Sequence, residues 1–114
     1  QQLLDDARRV QEAGAFAVVL EGIPALLAQK ITDTLDIPTI GIGAGAGCDG
    51  QVLVYQDMLG MFTDFKPKFV KHFANVGEIM TEAFKTFDQE VKEGVFPAQE
   101  HTYKIDEDII GRLY

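Results

Sequence analysis

Glu21 is the residue whose placement points most directly at chemistry. It follows the apolar run Phe16-Ala17-Val18-Val19-Leu20 and precedes Gly22-Ile23-Pro24. So short a run is too brief for a helix and predicts a strand buried on both faces. In parallel α/β proteins, ligands bind in the crevice at the carboxyl ends of the strands. A carboxylate held there has few solvating neighbours, and its pKa is expected to rise toward the range useful to a general base. The competing reading of Glu21 is a surface residue that opens a loop or favours a helix start through the dipole.

The stretch Gly41-Ile42-Gly43-Ala44-Gly45-Ala46-Gly47 offers a second candidate, since Gly41, Gly43 and Ala46 fit the dinucleotide spacing G-x-G-x-x-[G/A]. That mechanism needs a helix directly after the glycines, to face the phosphates. Here Asp49-Gly50 and a strand-like run follow. The glycines are therefore read as permitting close backbone approach, strand to ligand or strand to helix. Asp49-Gly50 itself signals a turn. Asp57 lies past the third apolar run and is either a ligand orienter or the cap of a following turn. His72 and His101 stand alone and read as structural, Lys66, Lys68 and Lys71 as a solvated helix face, and Cys48 as a small loop residue. No spacing typical of a metal site and no G-x-S-x-G elbow occurs.

Several elements must position these groups. Residues 1–14 carry Leu3, Ala7 and Val10 at helical spacing and stop at Gly14. Pro24 can open a helix at its first position, with Leu26, Leu27, Ile31 and Leu35 as the buried stripe. Residues 39–43 and 51–55 read as second and third strands. The loop between them is shorter than a usual parallel crossover, which leaves open a hairpin, or a small helix or turn between barrel strands. Phe69, Val70 and Phe73 mark a short helix, residues 78–92 a longer one with Met80, Phe84, Phe87 and Val91 on one stripe, and the tail one more short helix. Short apolar strands separated by amphipathic helices indicate a parallel α/β architecture.

Composition narrows the classes. The 114 residues suit one modest domain, and 46% hydrophobic with 25% charged residues is a globular mix. A net charge of −8 argues against nucleic acid as a partner, and no apolar run approaches a membrane span. The single cysteine excludes an internal disulfide framework and fits a reducing, cytoplasmic compartment. An opening without methionine or signal pattern suggests a piece of a longer chain.

Read in series, Val18-Val19-Leu20-Glu21-Gly22-Ile23-Pro24, the segment Ile37 to Gly45, and Asp49-Gly50-Gln51-Val52-Leu53-Val54 resemble the ketopantoate hydroxymethyltransferase (3-methyl-2-oxobutanoate hydroxymethyltransferase) family. The likeness continues through Asp57, Pro67-Lys68-Phe69, Gly94 to Ala98 and Glu100-His101. It departs at Gln56, where a histidine is frequent, and at Thr102-Tyr103, where serine and phenylalanine are usual.

The resemblance implies an α/β fold: the C-terminal part of a (β/α)8 TIM barrel of the phosphoenolpyruvate/pyruvate superfamily. Residues 1–97 would supply the sixth, seventh and eighth strands with their helices, and residues 98–114 a tail. Such a barrel needs about 250 residues, so the N-terminal half of the same barrel is an expected partner. The resemblance also implies hydroxymethyl transfer from 5,10-methylenetetrahydrofolate to 3-methyl-2-oxobutanoate, with Glu21 as general base and Ile42, Val52 and Val54 as apolar substrate walls. Magnesium would be held by the missing half, with no metal ligand in this chain. Family members form large homo-oligomers, commonly decamers. The alternatives are another metal-dependent enolate-forming activity of the superfamily, a mutase or lyase, and an inactive assembly module.

Overall fold

The computed structural model describes residues 1–113; Tyr114, the end of the tail, lies outside the described residues. The elements run α1 (Gln2–Glu12), β1 (Val18–Glu21), α2 (Ala25–Thr32), β2 (Thr39–Ile42), β3 (Gly50–Gln51), α3 (Tyr55–Met58), α4 (Val76–Glu93) and α5 (Glu107–Ile110), with a 3-10 turn at Gln99–His101. Two compact units emerge, residues 1–77 and 78–114.

The first unit is an α/β layer. Its three strands pair in the order β1-β2-β3, all parallel. The hairpin alternative for the second and third strands is thereby excluded. Residues 43–49 replace a crossover helix because Gly43 and Gly45 take φ of 63° and 77°, a left-handed backbone that turns the chain sharply. The core lies between the sheet and the two preceding helices: Ala7 of α1, Leu20 of β1, Ala28 and Ile31 of α2, and Ala44 of the loop, flanked by Leu4, Val18, Leu27 and Leu35. Of the expected α1 stripe only Ala7 is buried; Leu3 and Val10 stay 48% and 41% exposed while Leu4 packs on the core instead, and Gly14 follows the helix with a φ of 93°.

Gln11, in the last turn of α1, fastens this layer. Its amide oxygen accepts the N–H groups of Asp36 (2.7 Å) and Ile37 (3.2 Å), and its amide nitrogen donates to the Asp36 carboxylate (3.2 Å).

Several expectations need correction. The first strand starts at Val18, not Phe16, and Phe16 is 91% exposed. It is not buried on both faces either: Leu20 faces the helices, while Val19 on the other face is 58% exposed. The buried cluster shared with α1 and α2 lies on the Leu20 side of this sheet. Pro24 sits just before α2, with an extended ψ of 133°, and the helix opens at Ala25. Leu26 points away from the core at 88% exposure, and Leu35 falls beyond the helix. The third strand has two residues, not five, and Tyr55 already begins α3 because the Val54 carbonyl takes the N–H groups of Asp57 and Met58. Asp57 therefore lies inside α3 rather than capping it.

Phe69 to Phe73 form no helix. The Val70 N–H bonds the Pro67 carbonyl (3.0 Å), closing a tight turn. Further on, the Phe73 and Val76 N–H groups reach back to the carbonyls of Met58 (2.7 Å) and Leu59 (2.8 Å). Those bonds tie the segment to α3 instead of to itself, and Val70 anchors it as a buried side chain.

The second unit consists of most of α4, the 3-10 turn and α5. The helix predicted over 78–92 runs Val76–Glu93, and Gly94 ends it at a φ of 72°. No residue of α4 is buried, so the stripe Met80-Phe84-Phe87-Val91 is formed but bare. Phe87, Phe96 and His101 stack in sequence, with ring centroids 5.6 and 5.1 Å apart. His101 Nδ1 accepts the Ala98 N–H (3.0 Å), which gives that histidine the structural job its isolation suggested. The tail's short helix is present as α5.

Candidate active site

The parallel register sets one row across the carboxyl end of the sheet. Glu21 pairs with Ile42, and Gly41 with Gln51, so Val52 is the next residue level with Ile42. Two backbone bonds hold the row: Gly22 N–H to the Ile42 carbonyl (2.9 Å) and Val52 N–H to the Gly41 carbonyl (3.0 Å). Paired residues in a parallel sheet project to the same face, and alternate residues to opposite ones. Leu20 is committed to the helical layer, so Glu21 faces the other way, with Ile42 and the start of Val52 beside it. With strands about 4.8 Å apart, Glu21 and Val52 stand roughly 10 Å apart, with Ile42 on the strand between them.

Val52 and Val54 do not lie on the third strand expected over residues 51–55: the strand ends before either, and Val54 precedes α3. Ile42 is buried, whereas Val52 and Val54 are about half exposed. Glu21 is exposed too, so the desolvated setting expected for it is not supplied by this chain's own residues.

Beyond the row lies the glycine loop, and its glycines answer to packing. A Cβ on Gly43 would sit 2.8 Å from the Phe69 ring; one on Gly45 would run into Ala25, and one on Gly47 into the Gln29 side chain. The expectation of close backbone approach, here of the loop to a helix and a ring, holds. Gly45→Ala combines a left-handed backbone with that clash, and we expect a loss of about 2 kcal/mol, read as a lowered urea midpoint at unchanged m-value.

Asp49 fixes the far end of the loop. Its carboxylate Oδ2 accepts the Thr39 N–H (2.8 Å) and lies 3.2 Å from the Thr39 hydroxyl, while the Asp49 N–H donates back to that hydroxyl (3.2 Å). The Thr32 hydroxyl is 2.8 Å from it as well. Thr39 is fully buried, so this cluster satisfies polar groups that water cannot reach. Sequence reasoning took Asp49 as a turn residue only; the threonine at the start of a buried strand, ten residues upstream, was the signal available.

A cavity of about 410 Å³ opens on this loop, walled by Gly43, Gly45, Ala46, Cys48, Gln51 and Phe69. Glu21 does not line it. The ring of Phe69 joins the cavity to the Pro67–Val70 turn, a link that spacing along the chain gave no hint of. Among the described residues, no three His, Cys, Asp or Glu side chains group so as to hold a metal ion.

The sequence pattern of ketopantoate hydroxymethyltransferases matches residues 1–99. The chain belongs to the ketopantoate hydroxymethyltransferase family. It is 63% identical over all 114 of its residues to the 3-methyl-2-oxobutanoate hydroxymethyltransferase of Clostridium novyi, covering 42% of that protein. The enzyme of the same name from Clostridium kluyveri is 60% identical over 112 residues, 98% of this chain and 40% of the relative. That of Enterococcus faecalis is 59% identical over 114 residues, 100% of this chain and 42% of the relative. Ketopantoate hydroxymethyltransferases are transferases, and this chain spans about two-fifths of the length of the relatives it matches. No helix among the described residues is long and apolar enough to cross a membrane.

Proposed function

We propose that this chain forms the last strands of a (β/α)8 barrel that transfers a hydroxymethyl group from 5,10-methylenetetrahydrofolate to 3-methyl-2-oxobutanoate, giving 2-dehydropantoate for pantothenate synthesis. The observation that carries the reading is the row of Glu21, Ile42 and Val52 at the carboxyl ends of three parallel strands, in a chain whose residues 1–99 match the family. Catalytic residues of barrel enzymes gather at that end of the strands.

In this reading the Glu21 carboxylate takes the proton from C3 of the oxo acid. Across the reaction the C3–H bond breaks and a bond from C3 to the one-carbon unit forms. One water supplies the hydroxyl, both C–N bonds that held the methylene carbon break, and tetrahydrofolate leaves with its two nitrogens taking one proton from C3 and one from water. Ile42 and Val52 face the substrate's methyl groups, with Val54 at the margin. Proton transfer by a placed side chain contributes about 10²- to 10⁴-fold.

Two features support a barrel whose other strands lie outside this chain. β1 pairs on one edge only, and the sheet face carrying Glu21 and Val19 has no helical cover. The βα rhythm stops after β3, for no strand follows it among the described residues; this supports the end of a barrel over its beginning. The magnesium of this reading would take its ligands from that remainder; among the described residues no three His, Cys, Asp or Glu side chains group to hold an ion. We further propose a cytoplasmic homo-oligomer, with the bare stripe of α4 as one contact surface.

The complete protein, this segment together with the rest of its barrel, should form 2-dehydropantoate only when 5,10-methylenetetrahydrofolate is supplied. Product detected without any folate would point instead to a sister enolate-forming activity, and no product at all would overturn the reading.

A further inference from the structure

The chain carries a net charge of −8, yet residues 65–77 contain three lysines and no carboxylate. The cations elsewhere that make ion pairs, Arg8, Arg9, Lys85 and Lys92, sit three or four residues from their partners on helices. Lys66, Lys68 and Lys71 meet no carboxylate among the described residues; Lys71 Nζ rests 5.0 Å from the Phe73 ring centre. All three are exposed.

Local structure concentrates them. The Val70 N–H to Pro67 carbonyl bond closes a turn with Lys68 and Phe69 at its centre. The ends of such a turn lie within about 7 Å of each other, so Lys66 and Lys71, which flank it, start from neighbouring points. Buried Val70 fixes the turn from below. The Phe69 ring packs on Gly43, the residue directly after β2, and walls the glycine-loop cavity. The lysines are therefore displayed at the carboxyl end of the sheet, on the same rim as Glu21's partner Ile42.

We infer that the Pro67–Val70 turn receives the anionic tail of the one-carbon donor: a string of glutamyl carboxylates running over Lys66, Lys68 and Lys71, while the donor's body lies toward the Phe69 ring and the cavity. The inference rests on the transferase reading and deepens it. Exposed lysine–carboxylate pairs are each worth about a fewfold in affinity, so three together give roughly tenfold. Screening by salt acts strongly on such exposed pairs.

The test is a binding titration on the complete protein with tetrahydrofolate bearing one or five glutamates. The pentaglutamate form should bind about tenfold tighter, and 0.5 M salt should close most of that gap. In the triple variant Lys66→Ala, Lys68→Ala, Lys71→Ala the ratio of the two affinities should fall toward one. The triple arginine variant, which keeps charge, should retain it and so rule out simple damage to the turn. Equal affinity of the two forms for the unaltered protein, or an undiminished ratio in the alanine variant, overturns the inference and leaves the transferase reading standing. Binding of neither form removes that reading and the inference together. Displacement of the pentaglutamate form by tripolyphosphate at lower concentration than by free penta-γ-glutamate overturns the carboxylate assignment in favour of phosphate.

Discussion

Glu21→Gln in the complete enzyme is expected to slow exchange of the C3 proton of 3-methyl-2-oxobutanoate by about 10²- to 10⁴-fold. Glutamine keeps the size and one acceptor oxygen but cannot hold a proton taken from carbon. The backbone row it sits in depends on the Gly22 and Val52 amides rather than on the side chain, so the sheet should be undisturbed. Loss of exchange with little change in the substrate's apparent affinity is the expected signature, because the missing contribution belongs to the transition state. Deuterium wash-in at C3, followed by proton NMR, reads this directly. Exchange at the unaltered rate would take the base role from Glu21. Enclosure matters as well: the side chain is exposed in this chain, on the face that the remaining strands of a barrel would close.

Asp49→Ala should be the most damaging single change to the first unit, at about 3 kcal/mol. It removes the acceptor for the amide of Thr39 and a partner of its hydroxyl, both on a residue with 0% exposure. A buried donor left without a partner costs roughly 1–3 kcal/mol, and here two groups are affected while Thr32 compensates one of them in part. Asp49→Asn, which keeps one acceptor oxygen, should recover most of the loss. Urea unfolding of the two variants side by side checks this; a midpoint for Asp49→Ala within about 0.5 kcal/mol of the unaltered protein would show that the cluster does not hold the loop.

The layer order was legible because it follows from period and punctuation. The first helix, the Gly14 stop and the second strand, Thr39–Ile42 where residues 39–43 were expected, stand where local chemistry put them. What failed has more than one cause. Apolar residues were read as buried within the chain at hand, but Phe16, Val19 and Leu26 are apolar and exposed. An apolar residue destined for a neighbour looks the same in one dimension as a core residue. The third strand was overextended for a related reason: Val52-Leu53-Val54 is β-favouring, yet the chain turns into α3 once the Val54 carbonyl finds two amides ahead of it. The Phe69–Phe73 helix was lost to long-range backbone bonds that periodicity cannot report. In the candidate site, strand-end logic singled out Glu21 alone; Ile42, Val52 and Val54 came from the family resemblance, and the register sets Ile42 opposite Glu21 while Val54 lies beyond the short third strand.

Gln11 has one more effect. Its side-chain amide joins the end of the first helix to the residues just before the second strand, 25 positions later. Everything between, the first strand and the second helix included, is a lobe drawn shut at its neck by three polar bonds. A single protease cut at the exposed Gly22 bend would thus leave two pieces still gripping one another. Such nicked material would travel as one species until denaturant loosened the neck.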